Sequence, residues 1–192
     1  MKTKILILIF MICLFALVGC SGQDQKSPVD PSASAGLSAV VQPTAAINMD
    51  QAAIREAVLE HNRGNYVSGE FPCESHVLIT METQSDGEKE DALVTYYLMV
   101  LYLEYDHTED GPKAVSGGSM PVALTFMVDE KEGKYTLLEY WEPQGGKNYW
   151  ESLRSKFPAY VPDEDLDTQK NIHQLIQDCD AQAKEYFALG GD

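Results

Sequence analysis

Ala92 to Tyr105 restricts the fold more than any other stretch of this chain. Leu93, Tyr97, Met99, Leu101 and Leu103 alternate with Val94, Tyr96, Leu98, Val100 and Tyr102, so in extended conformation both faces are apolar. Such a strand belongs inside a sheet with cover on both sides. Its neighbours supply the partners. His76 to Glu82 reads as a strand before it, turned at Ser85-Asp86-Gly87. After a polar loop, Asp106 to Pro112, comes a third strand, Ala114 to Val128. The pair Gly117-Gly118 should break it, and Pro121 stands near its effective start. A turn at Glu130 to Gly133 leads to a fourth strand, Lys134 to Glu142, with Tyr135, Leu137 and Trp141 on one face. Short turns between successive strands predict an antiparallel meander.

Helical spacing occupies the flanks. Asp50 to His61 carries the stripe Ile54, Ala57 and Val58, with Asn48 or Asp50 to cap it and Gly64 to stop it. Asn148-Tyr149-Trp150-Glu151 reads as a capping box opening a helix that ends near Phe157-Pro158. A last helix spans about Thr168 to Leu189, with Ile172, Leu175, Ile176, Cys179, Ala183, Tyr186 and Phe187 on one side and Gly190-Gly191 as its stop. The fold class expected is α+β: a four-stranded antiparallel meander sheet packed by one N-terminal and two C-terminal helices.

The N-terminus is of another kind. Lys2 and Lys4 precede an apolar run, Ile5 to Leu17, that falls short of the roughly 20 residues a bilayer span needs. Leu17-Val18-Gly19-Cys20 closes it, and that tetrad resembles the lipobox of bacterial lipoproteins. The resemblance implies a signal peptide over residues 1–19, cleavage before Cys20, and acyl chains on the Cys20 thiol and its freed amine. It also implies residence on the extracytoplasmic face of a cell membrane. Two or more acyl chains anchor stably where one does not. Residues 20–46 are then the lipidated cysteine and a tether rich in Ser, Pro, Ala, Gly and Gln, without an aromatic residue. Such a segment stays disordered and spans roughly 30 Å as a coil, or about 80 Å fully drawn out. Residues 47–192 form a single globular domain.

Charge narrows the partners. The chain carries a net −16, and cleavage before Cys20 removes Lys2 and Lys4 but no acid, leaving 12 basic against 30 acidic residues. That opposes nucleic-acid binding, which rests on neutralising phosphates with Lys and Arg, and it opposes flat docking on anionic lipid. It suits a solvated acidic face, or attraction to a cationic protein, peptide or cell-wall component. Besides Cys20, the mature chain keeps Cys73 and Cys179. Either a disulfide, worth about 4–5 kcal/mol for so long a loop, or a pair of buried thiols fits them, Cys179 lying on an apolar stripe.

No motif for a named chemistry is present. Asp163, Asp165 and Asp167 alternate as in a calcium loop, but Thr168 and Gln174 stand where that loop needs Gly and Glu, so capping of the last helix is the expected role. Cys73 and His76 have ligand-like spacing without a second pair. His61, His76, His107 and His173 are scattered, and no Gly-x-Ser-x-Gly, Ser-x-x-Lys or phosphate loop occurs. No metal or other cofactor is expected. Glu139 and Glu142, three apart on a strand, point to opposite faces, unlike a glycosidase pair. Tyr140, Trp141, Tyr149, Trp150 and Tyr160 gather around Pro143 to Lys147. They form either a platform for a sugar or peptide or the packing between sheet and helix.

The block Met120 to Phe126, with Leu138-Glu139-Tyr140-Trp141-Glu142-Pro143 and Lys156-Phe157-Pro158, resembles the extracytoplasmic C-terminal domains of Clostridia-type membrane metallopeptidases related to β-lactam-sensing transducers, over roughly residues 50–190. This chain lacks the peptidase motif, the membrane spans and the Ser-x-x-Lys of a penicillin-binding sensor, so the likeness carries over no catalytic residue. It implies a surface sensing or binding accessory. The leading expectation is a non-enzymatic lipid-anchored binding domain. One alternative is an acidic inhibitor of a cationic protein or peptide. The other is a hydrolase with dispersed residues, for which Glu74, His76 and Tyr97 hold the place.

Overall fold

A computed structural model describes residues 49–85 and 91–191. The signal peptide, Cys20, the tether and the Asn48 cap all lie outside the described residues. Helix α1 (Met49–Asn62) comes first, followed by strands β1 (Phe71–Ser85), β2 (Asp91–Thr108), β3 (Gly111–Asp129) and β4 (Lys134–Trp141), then helices α2 (Tyr149–Lys156) and α3 (Ile172–Ala188). The strands form one antiparallel sheet in the order β1-β2-β3-β4. This is the α+β meander that the alternation along the chain predicts. Among the described residues no helix is long and apolar enough to cross a membrane.

The two apolar faces of β2 are covered as expected, by different partners. Ile54, Ala57 and Val58 of α1 pack on Val94, Tyr96, Leu98, Val100, Tyr102, Leu124 and Phe126. On the other side, Leu175, Cys179 and Ala183 of α3 lie on Cys73, Met99, Leu101 and Tyr105. Beside them Leu153, Phe157, Val161 and Leu166 cover Tyr97 and Ala123.

The strands outrun their sequence signals. The expected polar loop at Asp106 to Pro112 is instead the end of a hairpin, with Thr108 paired to Gly111 and its hydroxyl donating to the Gly111 carbonyl at 2.7 Å. The glycine pair does not break β3. Gly117 takes φ +146°, and a Cβ there would sit 2.1 Å from the Tyr102 carbonyl oxygen, so glycine lets the two strands stay paired. Pro121 precedes the first β3 residue paired to β4, so its missing N–H costs no bond on that side.

A bulge in β4 between its partners Thr125 and Phe126 leaves Leu138 unpaired. Tyr135 therefore faces α1 while Trp141 faces α2, although strict alternation puts them on one face. The expected capping box also fails. Asn148 makes no cap bond to α2 and its amide donates to Gln144 instead. Helix α3 begins at Ile172, not Thr168, because a short 3-10 turn, Asp163–Leu166, intervenes. Its end is as expected: Gly190 and Gly191 both have positive φ, and the Gly191 N–H donates to the Tyr186 carbonyl.

Candidate functional site

The segment after β4 is held by four apolar anchors, Leu153, Phe157, Val161 and Leu166, all buried against the sheet. Pro158 ends α2, since the residue before a proline avoids the helical region and Phe157 sits at φ −79°, ψ 141°, and the chain then turns, with the Val161 N–H donating to the Pro158 carbonyl at 3.0 Å. Arg154 of α2 fastens the turn from above. Its guanidinium donates to the Val161 carbonyl at 2.8 Å and pairs with Asp163.

This arrangement leaves an open cleft of about 520 Å³ between the start of α2 and the 3-10 turn, lined by Tyr149, Trp150, Asp163, Glu164, Leu166 and Asp167, among others. The Tyr149 and Trp150 rings meet at 85° with centroids 5.7 Å apart, making two walls of a corner. Trp150 is 52% exposed. Asp163 is neutralised by Arg154, whereas neither Glu164 nor Asp167 forms an ion pair among the described residues. Burial and then the Asp167 carboxylate raise the Tyr149 phenol above its ordinary value, so the negative field of Asp167 reaches the aromatic wall. Two π faces at right angles beside the Asp167 carboxylate attract an organic cation, while Glu164 already lies in the field of Lys170.

A neighbouring cleft of about 340 Å³, lined by Trp141, Gln144, Asn148, Glu151, Ser152 and Ser155, is chemically quieter. Ser152 accepts from the Gln144 N–H and donates to the Tyr149 carbonyl, and Ser155 donates to the Ser152 carbonyl. Trp141 carries the Lys156 ammonium 5.9 Å over its ring and meets Phe157 edge-on, while Lys156 is bound to Glu139 at 2.5 Å. These groups satisfy one another.

The aromatics named from the sequence therefore do not form one platform. Tyr140 lies on the α1 side, stacked 3.6 Å from His61. Trp141 serves packing, and Tyr149 and Trp150 share the acidic cleft. Tyr160 is not among the residues that line it, and its hydroxyl lies 3.3 Å from that of Thr80.

The three hydrolase placeholders also separate. Glu74 and His76 meet, Oε2 to Nδ1 at 2.9 Å, but Tyr97 faces the other side of the sheet and donates to Glu82. His76 Nε2 lies 2.9 Å from Gln51 Oε1. Glu74 is buried, and Arg55 Nη1 stands 3.6 Å from it. Gln182 joins this group from α3: it accepts from Arg55 at 2.5 Å and donates to the Glu74 carbonyl at 2.9 Å. The outer strand β1 is thus clasped by α1 and α3 together. Sequence reading missed Arg55 and Gln182. The available signal was the polar triplet Asp178, Asp180 and Gln182 around buried Cys179, which aims at Ser75, Tyr105 and Glu74 in turn.

The alternating aspartates do not converge or cap α3. Asp163 goes to Arg154, Asp165 to Lys170, and Asp167 accepts the Gln169 N–H. The calcium-loop spacing fails because the 3-10 turn splays the three side chains. Cys73 and His76 lie on opposite faces of β1, and among the described residues no group of three His, Cys, Asp or Glu could hold a metal. Cys73 and Cys179 are both free thiols and fully buried, and the Cys73 thiol lies 3.8 Å from the Cys179 carbonyl oxygen. The hydrogen bond to Cys73 and then burial hold the Cys179 proton in place.

No family model, curated protein or solved structure matches this chain.

Proposed function

We propose that this chain is a lipid-anchored extracytoplasmic binding domain. Its Tyr149–Trp150 cleft takes an ammonium or guanidinium group displayed by a cationic peptide, protein or cell-wall component. The observation that carries this reading is the exposed right-angled aromatic corner beside Glu164 and Asp167. A cation over a π face gains about 0.5–1 kcal/mol when exposed and about 2 when desolvated, and the excess of 30 acidic over 12 basic residues left after cleavage speeds its approach. Cys20 supplies the anchor and residues 21–46 the reach. Binding is favoured over catalysis because the closest acid–base pair, Glu74 and His76, engages both imidazole nitrogens with its own neighbours.

Two experiments test the reading. Nα-acetyl-lysine amide titrated into the protein should quench Trp150 fluorescence saturably, less so in high salt, while the uncharged norleucine analogue should not. Absence of saturation at millimolar ligand defeats the cleft. Labelled palmitate should incorporate into the wild type and not into Cys20→Ala; equal labelling defeats the anchor.

A further inference from the structure

We propose that Cys73 and Cys179 are a modification site: they join as an intramolecular disulfide when the chain folds in contact with a small-molecule disulfide. The two cysteines come from β1 and α3, 106 positions apart, yet the Cys73 thiol lies 3.8 Å from the Cys179 carbonyl oxygen and hydrogen-bonds the Cys179 side chain. Three hydrogen bonds fix that meeting. On α3, Asp178 accepts from Ser75 at 3.2 Å, Asp180 accepts from Tyr105 at 2.7 Å, and Gln182 donates to the Glu74 carbonyl at 2.9 Å. These bonds bracket Cys179 on both sides, so the helix can slide neither up nor down the strand without losing all three. The register that satisfies them is the one that presents one sulfur to the other. Among the described residues these two are the only cysteines.

The chemistry balances. The thiolate of one cysteine attacks the oxidant RSSR, forming a mixed disulfide and releasing RS⁻. The second cysteine thiolate attacks the protein sulfur of that mixed disulfide and expels the second RS⁻. The protein loses two electrons and two protons, and RSSR becomes two RSH. Both steps need a thiolate and an open path. Both cysteines are fully buried in the folded chain, so the bond forms as α3 docks, not afterwards. The inference rests on the extracytoplasmic reading only for where the oxidant is met; the cross-link itself depends on geometry alone.

The test uses the full-length chain, whose Cys13 and Cys20 act as internal competitors. The protein is reduced, unfolded, and refolded in a buffer of oxidised and reduced glutathione. It is then unfolded again with N-ethylmaleimide and digested with trypsin. Peptides 64–89 and 171–184 should appear as one species that splits on reduction. Alkylated Cys73 and Cys179, or either one bonded to Cys13 or Cys20, overturns the proposal. As a second measurement, a reductant should lower the urea midpoint of the refolded protein and leave that of the Cys73→Ser, Cys179→Ser double variant unmoved. Equal midpoints with and without reductant in the wild type also overturn it. Because nothing in the test uses the membrane or a cationic ligand, its failure leaves the binding reading standing, and failure of that reading leaves the cross-link standing.

Discussion

The two faces of the sheet are solved differently. Against α2 and α3 the core is the drier one: Leu153, Phe157, Leu175 and Ala183 meet Met99, Leu101 and Ala123, and Ser75 and Tyr105 beside them donate to Asp178 and Asp180 of α3. Against α1 a single 14-residue helix covers the sheet, and its edges admit polar groups. Glu74, Asn62 and Glu104 are all buried there. Each is satisfied: Glu104 accepts from the Tyr102 hydroxyl and the Gly69 N–H, Asn62 donates to the Val58 carbonyl, and Glu74 holds His76. Both faces exclude water from an apolar centre, but buried carboxylates stand only on the α1 side, where their hydrogen bonds must be kept. Volume changes should damage the first, and changes of charge or proton the second.

Alkali should unfold the whole domain, and it tests both faces at once. Tyr96, Tyr102 and Tyr140 on the α1 side and Tyr97 and Tyr105 on the other are all raised above 10.0, first by burial. Carboxylates that accept from Tyr97, Tyr102 and Tyr105 add to it; Tyr97 is pushed up to about 12. A phenol whose folded value exceeds its unfolded value of 10.0 contributes stability that is complete below pH 10. That contribution is lost as pH rises through the folded value, so for Tyr97 the window runs from about 10 to 12. Absorbance at 295 nm should show these five titrating only with loss of far-ultraviolet dichroism. Smooth titration near pH 10 with the fold intact would remove the claim that they are sealed in.

Next in size is Leu175→Ala on the dry face. Leu175, on the inner side of α3, is fully buried, and its truncation should cost about 2–5 kcal/mol in urea unfolding. Glu74→Ala is the matching change on the wetter face. It strands His76, whose side chain is 8% exposed, and Arg55, which is 38% exposed and can turn to water, so the loss should be about 1–3 kcal/mol. If Glu74→Ala costs more than Leu175→Ala, the contrast between the faces is drawn the wrong way round.

The contrast also explains what the sequence could disclose. The dry face was legible, because alternation in Ala92 to Tyr105 and the stripe Leu175, Cys179 and Ala183 report burial directly. The polar face was not. Glu74, Asn62 and Glu104 look like ordinary surface residues, and only three-dimensional neighbours turn them into buried, satisfied groups. The cleft was half legible. Its aromatics stood out, but the bulge at Leu138 and the turn Asp163–Leu166 decide which of them meet. Neither has a periodic signature. A bulge shifts every later side chain to the other face, and a single 3-10 turn redirects three aspartates that spacing alone would bring together.

The smallest effect on stability should come from the residue with the largest effect on binding. The chain has two tryptophans, and they occupy opposite situations. Trp141 lies between Lys156 and Phe157, so Trp141→Ala leaves a void at the sheet and should cost stability while sparing the cleft. Trp150 is mostly in solvent, and Trp150→Ala should shift unfolding by no more than about 0.5 kcal/mol. The same substitution removes one wall of the corner and should abolish saturable binding of the lysine derivative, with Asp167→Asn weakening it by about the tenfold that 1.4 kcal/mol represents. Chemical unfolding and calorimetric titration of both tryptophan variants separate the two roles. Were Trp150→Ala to destabilise as much as Trp141→Ala, the indole would belong to the core, and the cleft would have no wall to offer a ligand.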